Sequence, residues 1–417
     1  MAPESAYGPT NNCIGIGTEL VAMGHRVVFA AEGSWAGALA PLGFVERLVS
    51  MAPPPEQPVA AGQVWIDFVR DTAPHFRTST LEQISTVTEP IWRELLAGAR
   101  FADEQYAGIV ADTRPDVVVQ DNVSALPALV AADAPFVRLV SAQPLEMPSD
   151  DVPPVFSGLP ADDPSSWPAF RAEYARACAG VWQEYDDFCR ARGAGGLPVG
   201  AFAHDGDLNV YTYPAVLDYP RDLGPSWHRV QSSVRSTDAA PELPGHVAEG
   251  DGSLVYLSMG SLGGADVDLM RRLVADLADT PHRYVVSKGP RADEYDLPGN
   301  MWGAAMVPQT AIVPLCDLVI CHGGNNTVCE AVHFGKPLVV LPLFWDQYDN
   351  AQRVAETGFG LRLDTYRVTG DELRGAVQRL LSDVALRERA ATVGAGVRAE
   401  HGVRRAAELI VEAARSG

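Results

Sequence analysis

The sequence predicts an α/β protein of two domains with largely parallel sheets, and three observations carry that prediction. Strand-like apolar runs alternate with helix-like segments along the chain. The alternation breaks in a loop-rich stretch after about residue 215 and restarts near residue 253. At 417 residues the chain also exceeds what one ordinary core organises.

Taken in order, ESAYGPTNNCIGIG (Glu4–Gly17) reads as a loop rich in turn formers, with Gly8, Pro9, Asn11 and Asn12 running into a helix over Asn12–Met23 that Gly24 stops. Such a loop normally follows a buried strand. MAPES supplies almost none of one, so the natural start is expected upstream of Met1, with Tyr7–Asn12 poorly held if no strand forms. RVVFAA (Arg26–Ala31), RPDVVVQD (Arg114–Asp121) and APFVRLVSA (Ala134–Ala142) read as buried strands, and Pro127–Ala132 as a short helix. Pro144 to about Trp167 is a long loop rich in Pro, Asp and Ser, with Met147, Phe156 and Trp167 available either to line an apolar pocket or to pack. A helix over Pro168–Ala191 and the strand DLNVYTYP (Asp207–Pro214) complete the first domain. The expected divisions are 1–225, a linker over 226–250, 251–400, and a terminal helix over 401–417 that crosses back to the first domain.

In the second domain, SLVYLSMGS (Ser253–Ser261), a helix to about Asp279, RYVVSKG (Arg283–Gly289), CDLVICHGG (Cys316–Gly324) and KPLVVLPL (Lys336–Leu343) repeat the strand–helix rhythm. Helices over Thr369–Ser382 and Leu386–Ser416 end the chain.

Composition excludes several functions. A net charge of −21 repels phosphate backbones and anionic membranes, which argues against nucleic acid and lipid as partners. No apolar run is long enough to span a bilayer, and MAPESAYG lacks the basic and apolar segments of a secretory signal, so a cytoplasmic location is expected. The six cysteines form no CxxC pair, which fits buried thiols in a reducing compartment.

The chemistry concentrates between Val307 and Val354. DLVIC reads as a strand, HGGNN as a turn and Thr327–Phe334 as a helix start, a unit whose free backbone N–H groups can cradle phosphate. Gly323 and Gly324 permit close approach of a ligand. His322 is placed to donate to one phosphate oxygen, and Asn326 with Thr327 to another. Glu330 lies one turn after Thr327, where a carboxylate accepts from two vicinal hydroxyls. Asp346 and Gln347 follow the next strand and suit the hydroxyls of a neutral sugar, with Trp345 as a ring face. A helix cap, a solvated Glu and a core Trp are the plain alternatives, and each element alone is more often structural. Their joint spacing favours the site.

This stretch resembles the nucleotide-sugar motif of family 1 glycosyltransferases, among them the bacterial macrolide and natural-product enzymes. Pro308-Gln309, His322–Gly324, Asn325–Thr327, Glu330, Gly335–Pro337, Trp345–Gln347 and Asn350 carry the match, with Ser258–Ser261 as a first phosphate loop. The resemblance implies two Rossmann-like domains facing across a cleft, the glycosyltransferase B fold, with the first domain lacking most of its first strand. It implies a nucleotide-sugar donor in the second domain, a small-molecule acceptor in the first, and a monomer or homodimer. Ser261, His322, Gly323, Gly324, Asn326 and Thr327 would hold the diphosphate, Glu330 the ribose, and Trp345, Asp346 and Gln347 the sugar, with Gln309 also part of the donor site. No cofactor or metal is implied, and the acidic run Asp266–Asp268 is expected to start a helix.

Two positions depart from the family pattern. Met306 stands where an aromatic residue usually stacks on the base, and Trp302 either compensates or packs in the core. The family's catalytic His falls at Pro9, which cannot transfer a proton, whereas its orienting Asp has a counterpart in Asp121. Three readings follow: Asp121 is itself the base, Tyr7 or another residue of the acceptor-side loop (Tyr7, Gly8, Asn11) assists, or the chain binds donor without efficient turnover. The first is preferred. The expected function is inverting transfer of a hexose from a UDP- or TDP-linked donor, glucose by default, to a largely apolar or phenolic natural product. The alternatives are a non-catalytic nucleotide-sugar-binding protein and an epimerase of the same architecture, and Glu330, Asp346 and Gln347 argue against the latter.

Overall fold

The computed structural model describes residues 1–53, 71–239 and 241–416, and every strand pairing among them is parallel. The first domain holds β1 (Ala2–Pro3), β2 (Val28–Glu32), β3 (Val45–Val49), β4 (Val118–Asp121), β5 (Phe136–Val140), β6 (Leu208–Thr212) and β7 (Trp227–Val230). Five of these form a sheet in the order β1-β4-β5-β6-β7, and β2 pairs with β3. Met1 joins the two ladders: its amino group donates to the Val28 carbonyl at 2.7 Å, and the Ala30 N–H donates to the Met1 carbonyl at 2.9 Å. The first strand is therefore two residues long and stands between β2 and β4, with Pro3 in register with Asp121.

The second domain carries β8 (Leu254–Ser258), β9 (Arg283–Ser287), β10 (Met301–Ala304), β11 (Leu318–Cys321), β12 (Leu338–Val340) and β13 (Gly360–Arg362), in the order β10-β9-β8-β11-β12-β13. The central strands β4, β5, β6, β8 and β11 are buried along their whole length, as two-sided parallel sheets require. All six cysteines are free and buried.

Three expectations need correction. The first helix runs over Tyr7–Ala22, so Tyr7, Gly8 and Asn11 belong to a helix and not to a loop. Pro9 is tolerated because the amide it lacks falls in the first turn, where no intrahelical acceptor exists. The turn formers are overridden by tertiary contacts: buried Asn12 donates to Asn326 Oδ1 at 2.8 Å and accepts from the Ser233 hydroxyl. Second, the segment assigned to the linker contributes β7, so β6 is not the last strand of its sheet. Third, the expected single helix over Leu386–Ser416 is two helices, Val384–Ala399 and Gly402–Ser416. His401 breaks it with φ +49°, and a Cβ on Gly402 would lie 2.1 Å from the Ser232 carbonyl oxygen. The break turns the last helix onto the first domain, where Ala406, Ala407, Leu409 and Ile410 share a core with Ile14, Ile16 and Leu20.

Helix starts in the second domain follow local chemistry. Asp266 accepts from Leu269 N at 3.1 Å and begins Val267–Leu277, whose buried Val267, Met270, Leu273, Val274 and Leu277 repeat at helical spacing. Thr369 and Glu372 form a reciprocal capping box at Gly370–Ser382. Thr369→Ala is expected to lower unfolding stability by about 1 kcal/mol, measured by denaturant titration.

Candidate active site

Residues that follow the carboxyl ends of strands from both sheets meet where the two domains touch. After β11 the chain leaves through His322 and turns at Gly323, whose φ of +92° is open to glycine and strained for other residues. The helix Asn325–His333 then starts at Gly324 with no side-chain cap and no acidic residue in its first turn. No acidic side chain of its own first turn competes for the positive end of the helix. The His322 ring lies over Gly260, in the turn after β8: a Cβ there would stand 2.7 Å from it. Burial lowers its pKa to about 4, so the ring is neutral, and Nδ1 has no hydrogen-bond partner.

One turn further on, Glu330 is 5% exposed. Its Oε2 accepts from Gln309 Nε2 at 2.5 Å, and the same amide reaches Thr327 Oγ1 at 3.2 Å. The Tyr256 hydroxyl donates to Gln309 Oε1 at 3.0 Å, fixing which end of the amide faces Glu330. Burial raises Glu330 to about 7, against the opposing pull of Gln309 and of Arg235, whose Nη1 lies 3.6 Å from Oε1. Arg235 is itself held by Asp238, which also accepts from the Thr310 hydroxyl at 2.8 Å. Sequence reasoning missed Tyr256, Arg235 and Asp238. The first lies inside a strand and the other two in a segment that looks like plain linker.

Several expected donor residues are engaged across the domain interface. Asn326 donates to the Gly8 carbonyl at 2.9 Å and accepts from Asn12, so its amide faces the first helix and not the diphosphate position assigned to it. Asn325 donates to the Ser141 carbonyl at 2.7 Å. Asp346 Oδ2 accepts from Gln143 N at 3.2 Å, and burial raises it to about 7. Within the second domain, the Gln347 carbonyl end accepts from Leu343 N at 3.0 Å. Trp345, at φ +60°, stacks on Phe156 at 4.0 Å and sits 5.0 Å from Trp92, so first-domain aromatics cover the ring expected to face the sugar. Met147, Phe156 and Trp167 are buried, and pack instead of lining an open pocket. Asp349, not foreseen, accepts from Phe156 N at 2.6 Å and Gly158 N at 2.8 Å and bolts the long loop to the second domain.

At the base position, Met306 is 59% exposed, and Trp302 packs against the core. Ser261 is exposed in the turn Gly260–Gly263.

On the first-domain side Asp121 ends β4 and is 2% exposed. Oδ1 accepts from the Ser141 amide at 3.2 Å and hydroxyl at 2.9 Å, while Oδ2 has no partner. Burial raises it to about 7, the Ser141 bonds oppose the shift, and Glu4 adds to it. Tyr7 is 49% exposed and packs edge-on against Trp35 with ring centres 5.6 Å apart.

Comparison with known proteins places the chain beside glycosyltransferases. Residues 271–411 match the model of the C-terminal domain of erythromycin biosynthesis protein CIII-like proteins. The NDP-glycosyltransferase YjiC of Bacillus subtilis is 33% identical over 163 residues, a match spanning 38% of this chain and 42% of that protein, less than half its length. The oleandomycin glycosyltransferase of Streptomyces antibioticus is 26% identical over 98% of this chain and 89% of its own length. The chain is similar in sequence to these glycosyltransferases. Its fold is theirs: the solved glycotransferase of kitacinnamycin superposes with a TM-score of 0.72 at 22% identity, covering 99% of this chain and 98% of that one. In the terms of that fold, the second domain is the side on which Glu330 and His322 lie, and the first the side on which Asp121 lies.

Proposed function

We propose that the chain is an inverting, metal-independent hexosyltransferase that moves a sugar from a UDP- or TDP-linked donor to a small, largely apolar or phenolic natural product. The observation that carries this reading is the buried Glu330 carboxylate, held by Gln309 one turn beyond an uncapped helix start. A carboxylate there takes the two hydroxyls of a ribose, while the helix N–H groups and the neutral His322 take the diphosphate. The same donors stabilise the charge that grows on the diphosphate as it leaves, in place of a metal. The names of the relatives support the donor and acceptor classes: one is an NDP-glycosyltransferase and another acts on oleandomycin. On this reading Asn326 and Asp346 exchange their cross-domain bonds for ligand bonds when the domains part to admit substrates.

The second reading is a nucleotide-sugar-binding protein without turnover, favoured by Pro9 at the position of the family's His. Incubation with UDP-glucose and TDP-glucose and a panel of phenolic and macrolide acceptors, followed by mass spectrometry, separates the two. Glycosylated product that forms equally in EDTA is the expected result. Calorimetric donor binding with no product from any pair overturns transfer and leaves the binding protein.

A further inference from the structure

We infer that Glu4 is the general base of the transfer step and that Asp121 is the positioning residue beside it, an inference that rests on the glycosyltransferase reading above. The register of the first strand supplies the geometry. Pro3 pairs with Asp121, and the Glu4 amide donates to the Asp121 carbonyl at 2.7 Å, so Glu4 is the first residue past the carboxyl end of β1 and lies against the end of β4. The Thr10 hydroxyl donates to the Glu4 carbonyl at 3.3 Å and ties the residue to the first helix. The Val123 amide reaches the Glu4 carboxylate, and Glu146 and Asp346 both act on its charge. Asp346 belongs to the sugar side of the second domain. Glu4 therefore stands beside Asp121 at the carboxyl end of the first-domain sheet, near enough to Asp346 for that charge to act on it.

The other candidates are excluded by placement. Pro9 has no proton-accepting group. Tyr7 packs outward on Trp35. Asp121 is nearly wholly buried, with one oxygen committed to Ser141. Its other oxygen is buried without a partner, an arrangement suited to a carboxyl that keeps its proton. The Glu4 charge adds to the effect of burial in raising the affinity of Asp121 for its proton. Asp121 is the more buried of the two, and Glu4, which burial raises to about 7, is ionised above that pH and able to take a proton from the acceptor.

In the step itself the acceptor O–H gives its proton to the Glu4 carboxylate as its oxygen forms a bond to the anomeric carbon. The bond from that carbon to the diphosphate oxygen breaks, and its electron pair leaves with the nucleoside diphosphate. Glu4, now a carboxylic acid, returns the proton to solvent after product leaves.

Glu4→Gln keeps the shape and removes the base, and acceptor acidity tells a base from a structural residue. With UDP- or TDP-glucose at pH 8, kcat of Glu4→Gln toward phenol is expected to fall about 10²–10⁴-fold. Toward 4-nitrophenol, largely ionised already, it should fall far less, with donor affinity by calorimetry unchanged. Wild-type kcat toward phenol in the variant, or an equal loss toward both acceptors, overturns the assignment while leaving the transferase reading intact. Absence of transfer by the unaltered protein to every acceptor overturns the transferase reading and this inference with it.

Discussion

Glu330→Ala is expected to raise the Kd for the nucleoside diphosphate about 100-fold or more while leaving the fold in place. The carboxylate is buried and wired to Gln309 and Arg235, so it is already ordered before any ligand arrives. Two hydroxyls that donate to an ionised acceptor contribute about 1.5–3 kcal/mol each, and about 1.4 kcal/mol corresponds to tenfold in affinity. Truncation also strands Gln309 and Arg235, whose polar groups were matched to the carboxylate. Glu330→Gln separates these effects, because it keeps the volume and one acceptor oxygen; an intermediate loss is expected. Calorimetry with UDP and TDP reads the result directly, without dependence on the acceptor. An unchanged Kd in Glu330→Ala would remove the ribose assignment, and with it the observation on which the proposed function stands.

Glu330 was legible in the sequence because its role is local. A strand, a glycine turn and a helix place Thr327 and Glu330 one turn apart whatever the rest of the chain does. The buried strands were legible for a similar reason: β4, β5, β8 and β11 are buried along their length and lie in mostly apolar runs of sequence. What failed was non-local or at an edge. β3, β7, β10 and β13 lie at sheet edges or in the short β2–β3 ladder, where half-exposed residues such as Glu46, Arg229 and Gly303 dilute the apolar pattern. The helical state of Tyr7–Asn12 depends on Asn326 and Ser233, more than two hundred residues away. Glu4 was invisible for the same reason. Only the pairing of Pro3 with Asp121 reveals that the residue after it stands at the acceptor end of the sheet. The engagement of Asn326, Trp345 and Asp346 by the first domain is likewise a property of two domains meeting, and no spacing within one motif encodes it.

That meeting surface also sets how the protein should respond to pH. Burial raises Glu4, Asp121 and Asp346 to about 7 and Asp349 to about 8, and all four stand where the domains touch. In the unfolded chain carboxyls ionise near pH 4. The folded state therefore binds more protons between about pH 4 and 8, so the stability these groups contribute is fully present below pH 4 and is lost as pH rises through 7 to 8. For Asp349 two causes compete. The Phe156 and Gly158 amides favour its ionised form, but desolvation is the larger influence and holds the proton. The melting temperature is accordingly expected to fall between pH 6 and pH 9, with each 1 kcal/mol lost corresponding to about 2–4 °C in domains of this size. Because the four groups are buried near the contact between the domains while both sheets carry their own buried cores, the domains should part before either core melts. Asp349→Asn has nothing to ionise and keeps an oxygen for one of the two amides, so its melting temperature should decline less steeply over the same range. A decline as steep as that of the unaltered protein would show that Asp349 is already ionised at pH 6, the two amide hydrogen bonds outweighing its burial.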